Sequence, residues 1–355
     1  MKSTTKKKLY LELMRIIAIF FVLYNHTDGF LLYTSQPVGS FGYWTYMILS
    51  NFCKFAVPLF MAVSGALMLG RDNEPLSVLW KKKILKFAGI LLVFSALYYT
   101  EYIVASGFSI SSIKNFFATT YSGTAYFHLW YMYMYLAYLI CVPFLRALVK
   151  NLDTKYFYYM IVIAAVLKTL PIAELVVLRN KFTLSGNIRP EWLVSDIVLY
   201  PCIGYFLEHR VDIKKAGKKL HIFWGVSVLC MVAASVGTYF SCEVFGLTQK
   251  DDLVFRQNYA FVICITVYLT VKYICTKYSF SASAEKIICI LGECTFGVYL
   301  LHPMVEIDAL RESIFGLGIN RMVAVWIYIP LWAAVSYAAA FVLKKIPVLK
   351  KLVGG

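Results

Sequence analysis

The chain carries a series of apolar runs, each of the length that crosses a lipid bilayer, and this feature limits its fold more than any other. A helix rises about 1.5 Å per residue, so roughly 20 residues cross the ~30 Å hydrocarbon core. Backbone polar groups in lipid must be satisfied internally, which favours helices. We therefore predict an all-α integral membrane protein, a bundle of about ten transmembrane helices. The runs are residues 9–33, 41–70, 84–105, 126–148, 156–178, 191–208, 220–242, 257–275, 287–305 and 322–346.

Composition supports a membrane protein and argues against a nucleic-acid-binding one. Of the 355 residues 60% are hydrophobic and 15% are charged, whereas soluble domains are about 45–50% apolar. The formal net charge is +16, but the basic residues recur between apolar runs and do not form one patch. We expect contact with membrane lipid and no nucleic-acid partner.

The distribution of Lys and Arg predicts the orientation of the chain. If the N-terminus is cytoplasmic, 24 of the 35 Lys and Arg residues fall in inner segments and eight in outer segments. Cytoplasmic loops of membrane proteins carry such an excess. Ten spans with both termini in the cytoplasm are the simplest arrangement.

No feature divides the chain, so we expect residues 1–355 to form a single transmembrane domain with no appended soluble domain. The nine cysteines lack the spacing of a zinc site or a disulfide scaffold, and we expect no metal. Phosphate-loop, dinucleotide-binding, zinc-protease and nucleophile-elbow motifs are also absent. In the second span Ala62, Ser64 and Gly65 permit either close approach of another helix or an irregular cavity lining.

Arg15 and His26 lie in the first predicted span and project to the same side of it. Eleven helical steps separate them, which is nearly three turns, so the side chains lie ~16 Å apart along the axis. Ionisable side chains at membrane depth are costly and mark pathways or sites. We predict functional roles for both, while an ion pair of Arg15 with Glu12, three residues earlier, is the structural alternative.

Three of the five histidines, His26, His128 and His302, fall at the outer ends of their predicted spans. A neutral imidazole near pH 7 suits a general base that removes a proton from a hydroxyl group, and a second imidazole can position an acceptor or stabilise charge. Histidine is also tolerated at the membrane interface, so a structural role for His128 and His302 stays open.

Four lysines, Lys81, Lys82, Lys83 and Lys86, cluster in a segment predicted to face the cytoplasm. Such a cluster can hold the phosphates of a cofactor or the headgroups of anionic lipids. Lysines in this place also fix membrane orientation without binding any ligand, and that explanation competes with a phosphate site.

Four stretches, in chain order, resemble acyltransferase family 3, the membrane-bound O-acyltransferases that modify bacterial surface glycans. The stretches are 15–26, 57–65 with the basic 80–86, 127–131 (Phe-His-Leu-Trp-Tyr) and 296–303 (Phe-Gly-Val-Tyr-Leu-Leu-His-Pro). The resemblance extends over about the whole chain. The chain departs from the family at Lys81, Lys82 and Lys83, where many relatives have arginine. Lysine lacks the bidentate fork with which a guanidinium group holds a phosphate.

The resemblance implies a co-substrate, cytosolic acyl-CoA and most often acetyl-CoA, and an acceptor hydroxyl on a glycan or lipid-linked sugar outside a bacterial plasma (inner) membrane. It implies that His26 is the general base and that Arg15 orients the donor or stabilises developing charge. The predicted CoA-binding residues are Lys81, Lys82, Lys83 and Lys86, and the predicted substrate or supporting residues are His128, Trp130, His302, Tyr299 and Glu12.

Two other functions stay open at this stage. A transporter or flippase for a polysaccharide or lipid-linked sugar also suits a bundle with Arg15, Lys54 and Lys168 inside its spans. A sensor or membrane anchor leaves these charges unexplained. The sequence leaves open the acceptor, the acyl chain length and the formation of an acyl-enzyme. It also leaves open the oligomeric state, and a homo-oligomer is one of the alternatives.

Overall fold

The computed structural model of the chain describes residues 8–353 except 28, 124, 180, 247–254, 256–257 and 348. Over this part of the chain the secondary structure is helical, with no strand. The predicted all-α membrane fold is confirmed. Lys2, Lys6 and Lys7, which entered the prediction of orientation, lie outside the described residues.

The long helices follow the predicted runs. In chain order the helices are α1 (Leu9–His26), α2 (Phe41–Cys53), α3 (Ala56–Met68), α4 (Leu76–Leu79), α5 (Leu85–Ser106), α6 (Ile110–Ser122), α7 (Trp130–Asn151), α8 (Thr154–Val176), α9 (Asp196–His209), α10 (Ile213–Gly217), α11 (Leu220–Tyr239), α12 (Ala260–Lys277), α13 (Ala282–Leu301), α14 (Asp308–Phe315), α15 (Arg321–Lys345) and α16 (Lys350–Val353). Wide π-helical turns follow α4, at Trp80–Ile84, and α11, at Phe240–Val244.

Eight helical segments of the described chain have the length and apolar character to cross a membrane. The other two predicted spans contain α9 and α13. The 14 residues of α9 reach only ~21 Å, and α13 carries Glu285, Lys286 and Glu293. The total of ten spans and the cytoplasmic position of both termini stay predictions.

The second predicted span, 41–70, is divided into α2 and α3 by a break at residues 54–55. Pro58 lies in the first turn of α3, where its missing N–H costs no helical hydrogen bond. A proline further along an unbroken helix would remove one, so the break fits the sequence. Irregular backbone at membrane depth is tolerated where it lines a cavity, and Lys54 lines the cavity described below.

Helix α9 packs against α3 at backbone contact distance. A Cβ atom added to Gly204 would lie 1.8 Å from the Ala62 carbonyl oxygen, and one added to Gly65 would lie 2.1 Å from the Pro201 carbonyl oxygen. Of the two alternatives for the small residues of the second span, the close approach of another helix is therefore present. It holds α9 inside the bundle, where most of its side chains are buried.

Candidate active site

A cavity of about 610 Å³ lies between α1, the α2–α3 break, α7 and α13. We call it the outer cavity, because His26 and His128 lie at the ends of their spans that are predicted to face the outside. His26, His128, Trp130 and Tyr299, four of the predicted site residues, line it. The predicted convergence of His26 and His128 is therefore present in the structure.

His302 lies directly behind His26 and contacts it. The His26 Nδ1 and His302 Nε2 atoms are 2.7 Å apart, and the planes of the two rings are nearly parallel, at 9° to each other, with centroids 4.9 Å apart. The Nδ1 atom of His302 lies 2.8 Å from the Tyr299 carbonyl oxygen. That carbonyl can only accept, so His302 carries its proton on Nδ1 and accepts from His26 Nδ1–H through Nε2. Nε2 of His26 is left as the basic nitrogen.

Hydrogen bonds at the end of α13 fix the position of His302. The Trp332 indole N–H donates to the His302 carbonyl oxygen over 2.9 Å, and the Tyr98 hydroxyl donates to the Leu300 carbonyl oxygen over 2.7 Å. The His302 side chain is fully buried. An orienting group needs such support, because its rotamer must not vary.

His128 is 1% exposed and packs edge-on against the ring of His302, with centroids 5.1 Å apart. Its backbone carbonyl oxygen accepts a 2.7 Å hydrogen bond from the Tyr299 hydroxyl. Neither ring nitrogen of His128 makes a well-formed hydrogen bond within the described residues. Buried polar atoms are ordinarily satisfied, and the imidazole of His128 faces the backbone of Leu300.

A second cavity, of about 670 Å³, lies beside the basic segment that was predicted to face the cytoplasm, and we call it the inner cavity. Its acidic lining residues are Glu12 and Glu293. The excess of positive charge suits phosphate groups. Its basic lining residues are Arg15, Arg71, Lys82, Lys83, Lys86, Lys344 and Lys350.

The four predicted phosphate-binding lysines differ in their position relative to the inner cavity and in their contacts. Lys81 does not line the inner cavity, although it is next to Lys82. Lys83 donates a 2.5 Å hydrogen bond to Glu74 Oε1, and this contact holds the pKa of the Glu74 carboxyl below its usual range. Lys82 and Lys86 also line the inner cavity, and both stay candidates for phosphate contacts.

Arg15 pairs with Glu12, as the structural alternative predicts. Its Nη1 atom lies 3.1 Å from each carboxylate oxygen of Glu12. The side chain of Glu12 is 9% exposed and that of Arg15 is 29% exposed, and both line the inner cavity. Arg15 and His26 thus share one helix face but line different cavities.

Three aromatic residues, Phe60, Tyr131 and Tyr299, line both cavities. They come from α3, α7 and α13, and the ring of Tyr131 contacts the other two. The centroids of Phe60 and Tyr131 are 6.2 Å apart, and those of Tyr131 and Tyr299 are 5.3 Å apart. One layer of side chains therefore separates the basic inner cavity from the histidines.

Sequence analysis did not assign Lys54, Lys168 and Asp196 to the histidine site, but all three line the outer cavity. The two lysines were noted only as charges inside spans. Asp196 could have been found by the same rule, since it is an acidic residue inside the predicted span 191–208.

The described residues contain no group of three or more His, Cys, Asp or Glu side chains arranged to hold a metal ion. The described cysteines are all free thiols. The polar groups that line the two cavities include imidazole, carboxylate, ammonium and guanidinium groups, the Cys53 thiol and the Ser64 hydroxyl.

Comparison with known proteins agrees with the geometry. A family model described as an acyltransferase domain, that of acyltransferase family 3, matches residues 8–345, which is nearly the whole chain. No curated protein and no solved structure matches the chain.

Proposed function

The chain belongs to acyltransferase family 3, and we propose that it is a membrane O-acyltransferase that moves an acetyl group from cytosolic acetyl-CoA to a hydroxyl of an extracytoplasmic or lipid-linked glycan. Membership of the family supports an acyltransferase. The donor, the acceptor and a location in a bacterial plasma membrane are part of the proposal.

The observation that carries the proposal is the hydrogen-bonded chain from the Tyr299 carbonyl through His302 to His26. It holds His26 with Nδ1 as donor and leaves Nε2 as the proton acceptor. General bases in transferases are oriented by a third group in this way. His302 is a positioning residue, because it acts on the reaction through His26.

In the proposed reaction the acceptor hydroxyl loses its proton to His26 Nε2 as its oxygen attacks the thioester carbonyl carbon. A C–O bond forms, the C–S bond breaks, and the thiolate of CoA takes the proton from the His26 imidazolium. The ester and CoA thiol leave, and His26 returns to its neutral form. General base catalysis of this kind contributes about 10²–10⁴-fold to the rate.

The remaining charged residues divide between donor binding and charge stabilisation. Lys82, Lys86 and Arg15 line the inner cavity and suit the phosphates and polar arm of CoA. Negative charge develops on the thioester oxygen beside His26, where Lys54 and His128 line the outer cavity. A cation in a water-poor cavity is worth more to such a transition state than in solution.

The test uses purified protein in lipid vesicles, with radiolabelled acetyl-CoA and three proteins: wild type, His26→Ala and His221→Ala. His221 is an exposed histidine on α11 and lines neither cavity, so it is the matched control. We expect the wild type and His221→Ala to consume thioester, and His26→Ala to bind CoA but turn over at least about 100-fold more slowly.

Two outcomes contradict the proposal. Turnover by His26→Ala at the wild-type rate removes His26 from the chemistry. Failure of all three folded proteins to bind CoA removes the donor, and then a carrier for a polysaccharide or lipid-linked sugar becomes the better explanation of the cavities.

A further inference from the structure

The aromatic layer between the two cavities has a consequence for the acyl group. If the donor phosphates lie at Lys82 and Lys86 and the base is His26, the thioester must pass from the inner to the outer cavity. Phe60, Tyr131 and Tyr299 are the residues that line both. We call these three side chains the aromatic partition.

In the aromatic partition the ring of Tyr131 packs between those of Phe60 and Tyr299. Centroid separations of 6.2 Å for Phe60 and Tyr131 and 5.3 Å for Tyr131 and Tyr299 lie in the range of packed aromatic pairs. Protein interiors resist compression, and each added methylene of a buried group must displace its neighbours. Passage of an acyl group therefore requires at least one ring to move.

The three rings differ in their freedom to move. Tyr299 is 6% exposed, and its hydroxyl is held by the 2.7 Å hydrogen bond to the His128 carbonyl oxygen. Tyr131 packs against Phe60, Tyr299, Tyr135 and Trp130. Phe60 has no polar atom to anchor it, and among the described residues its one close ring neighbour is Tyr131. Phe60 is thus the ring that can turn at least cost.

We propose that the aromatic partition is the specificity determinant for the acyl group, a size filter that passes short chains and excludes longer ones, with Phe60 as its mobile member. This inference rests on the proposed function. No bond forms or breaks at the partition, since the filter acts on the thioester before the attack at His26.

The experiment compares acetyl-, propionyl- and butyryl-CoA as donors for wild type, Phe60→Ala, Phe60→Leu and Phe144→Ala in lipid vesicles. Phe144 lies on α7 and is 76% exposed, so its substitution removes an aromatic ring away from both cavities. We expect the ratio of kcat/KM for butyryl-CoA to that for acetyl-CoA to rise about tenfold or more in Phe60→Ala. The rise in Phe60→Leu is smaller, and Phe144→Ala keeps the wild-type ratio.

Competition by free CoA gives a second measurement, which should change little among the four proteins because Lys82, Lys86 and Arg15, the proposed contacts of CoA, are kept in all of them. If Phe60→Ala does not fold, Phe60→Leu decides the question. An unchanged ratio in the folded Phe60 variants, with a wild type that transfers acetyl, overturns the filter and leaves the proposed function intact. A wild type that transfers no acyl group from any CoA thioester overturns the proposed function itself.

Discussion

At the scale of single residues, the contact between His26 and His302 predicts how the second histidine contributes. His302 accepts the Nδ1 proton of His26, so its removal leaves His26 free to take other tautomers and rotamers. We expect His302→Ala to lower kcat about 100-fold with little change in the KM for acetyl-CoA. Glutamine can supply an oxygen acceptor, so His302→Gln should recover part of kcat.

Steady-state kinetics of the two His302 variants check this prediction. If His302 were needed only for folding, both variants would give less folded protein, and glutamine would restore kcat no better than alanine. Equal kcat values for His302→Gln and His302→Ala in folded protein would show that acceptance of the Nδ1 proton is not the role of His302.

The ion pair of Arg15 and Glu12 has two explanations, a role in stability and a role in donor binding. A single and a double variant separate them. Arg15→Gln leaves the Glu12 carboxylate, 9% exposed, without its cation, and an unpaired buried acceptor costs about 1–3 kcal/mol. We expect a lower Tm for Arg15→Gln, and recovery of that Tm in the double variant Glu12→Gln with Arg15→Gln.

Activity separates the two interpretations. If Arg15 orients the donor, the double variant stays impaired, with a raised KM for acetyl-CoA although its Tm has recovered. Recovery of both Tm and KM would make the pair purely structural and would remove Arg15 from the donor site.

The sequence could place His26, His128 and His302 at one level, because topology alone assigns the ends of the spans. It could not supply the tautomers, which depend on the 2.7 Å contact between side chains 276 positions apart in the chain. Nor could it separate Lys81 from Lys82, since that depends on which face of the turn at Trp80–Ile84 lies beside the inner cavity.

At the scale of helices, the crossing of α3 and α9 predicts an unequal tolerance of glycine positions. A Cβ at Gly204 would lie 1.8 Å from a backbone oxygen of α3, whereas a Cβ at Gly225 of α11 meets no atom within 4 Å. Gly204→Ala must push the two helices apart, and overpacking of this kind costs about 1–3 kcal/mol or more.

We expect Gly204→Ala to lose most of its folded protein or its activity, as judged by size-exclusion chromatography and turnover. Gly225→Ala should be unchanged or slightly more stable, because alanine is the better helix former by roughly 0.5–1 kcal/mol. A normal chromatographic profile and full turnover for Gly204→Ala would show that the α3–α9 crossing is not needed.

Helix prediction from apolar runs succeeded where burial in lipid or in the bundle demands a long apolar segment. It did not anticipate the break at residues 54–55, which depends on how α2 and α3 pack around the cavity. It also missed α6 (Ile110–Ser122) and α14 (Asp308–Phe315). These helices are short and mixed in polarity, so their residues do not form an apolar run long enough to signal a span.

At the scale of the whole molecule, the two cavities lie back to back with the aromatic partition between them. The inner cavity is rich in cations and the outer cavity contains the histidines. A transferase with this arrangement takes its donor from one side of the membrane and its acceptor from the other. The basic residues of the inner segments predict that the donor side is the cytoplasmic one.

Sealed vesicles with the protein in a known orientation test this arrangement directly. We expect radiolabelled acetyl-CoA to be consumed when it is supplied to the face that carries Lys82, and the label to appear on acceptor present at the opposite face. Acetyl-CoA supplied to the opposite face should support less than about a tenth of that rate, because its charged phosphates prevent it from crossing lipid. The orientation can be read from protease cleavage of a tag at one terminus. Label that appears only on acceptor at the face that carries Lys82 would mean that both cavities open to that side, and the route through Phe60, Tyr131 and Tyr299 would then be unnecessary.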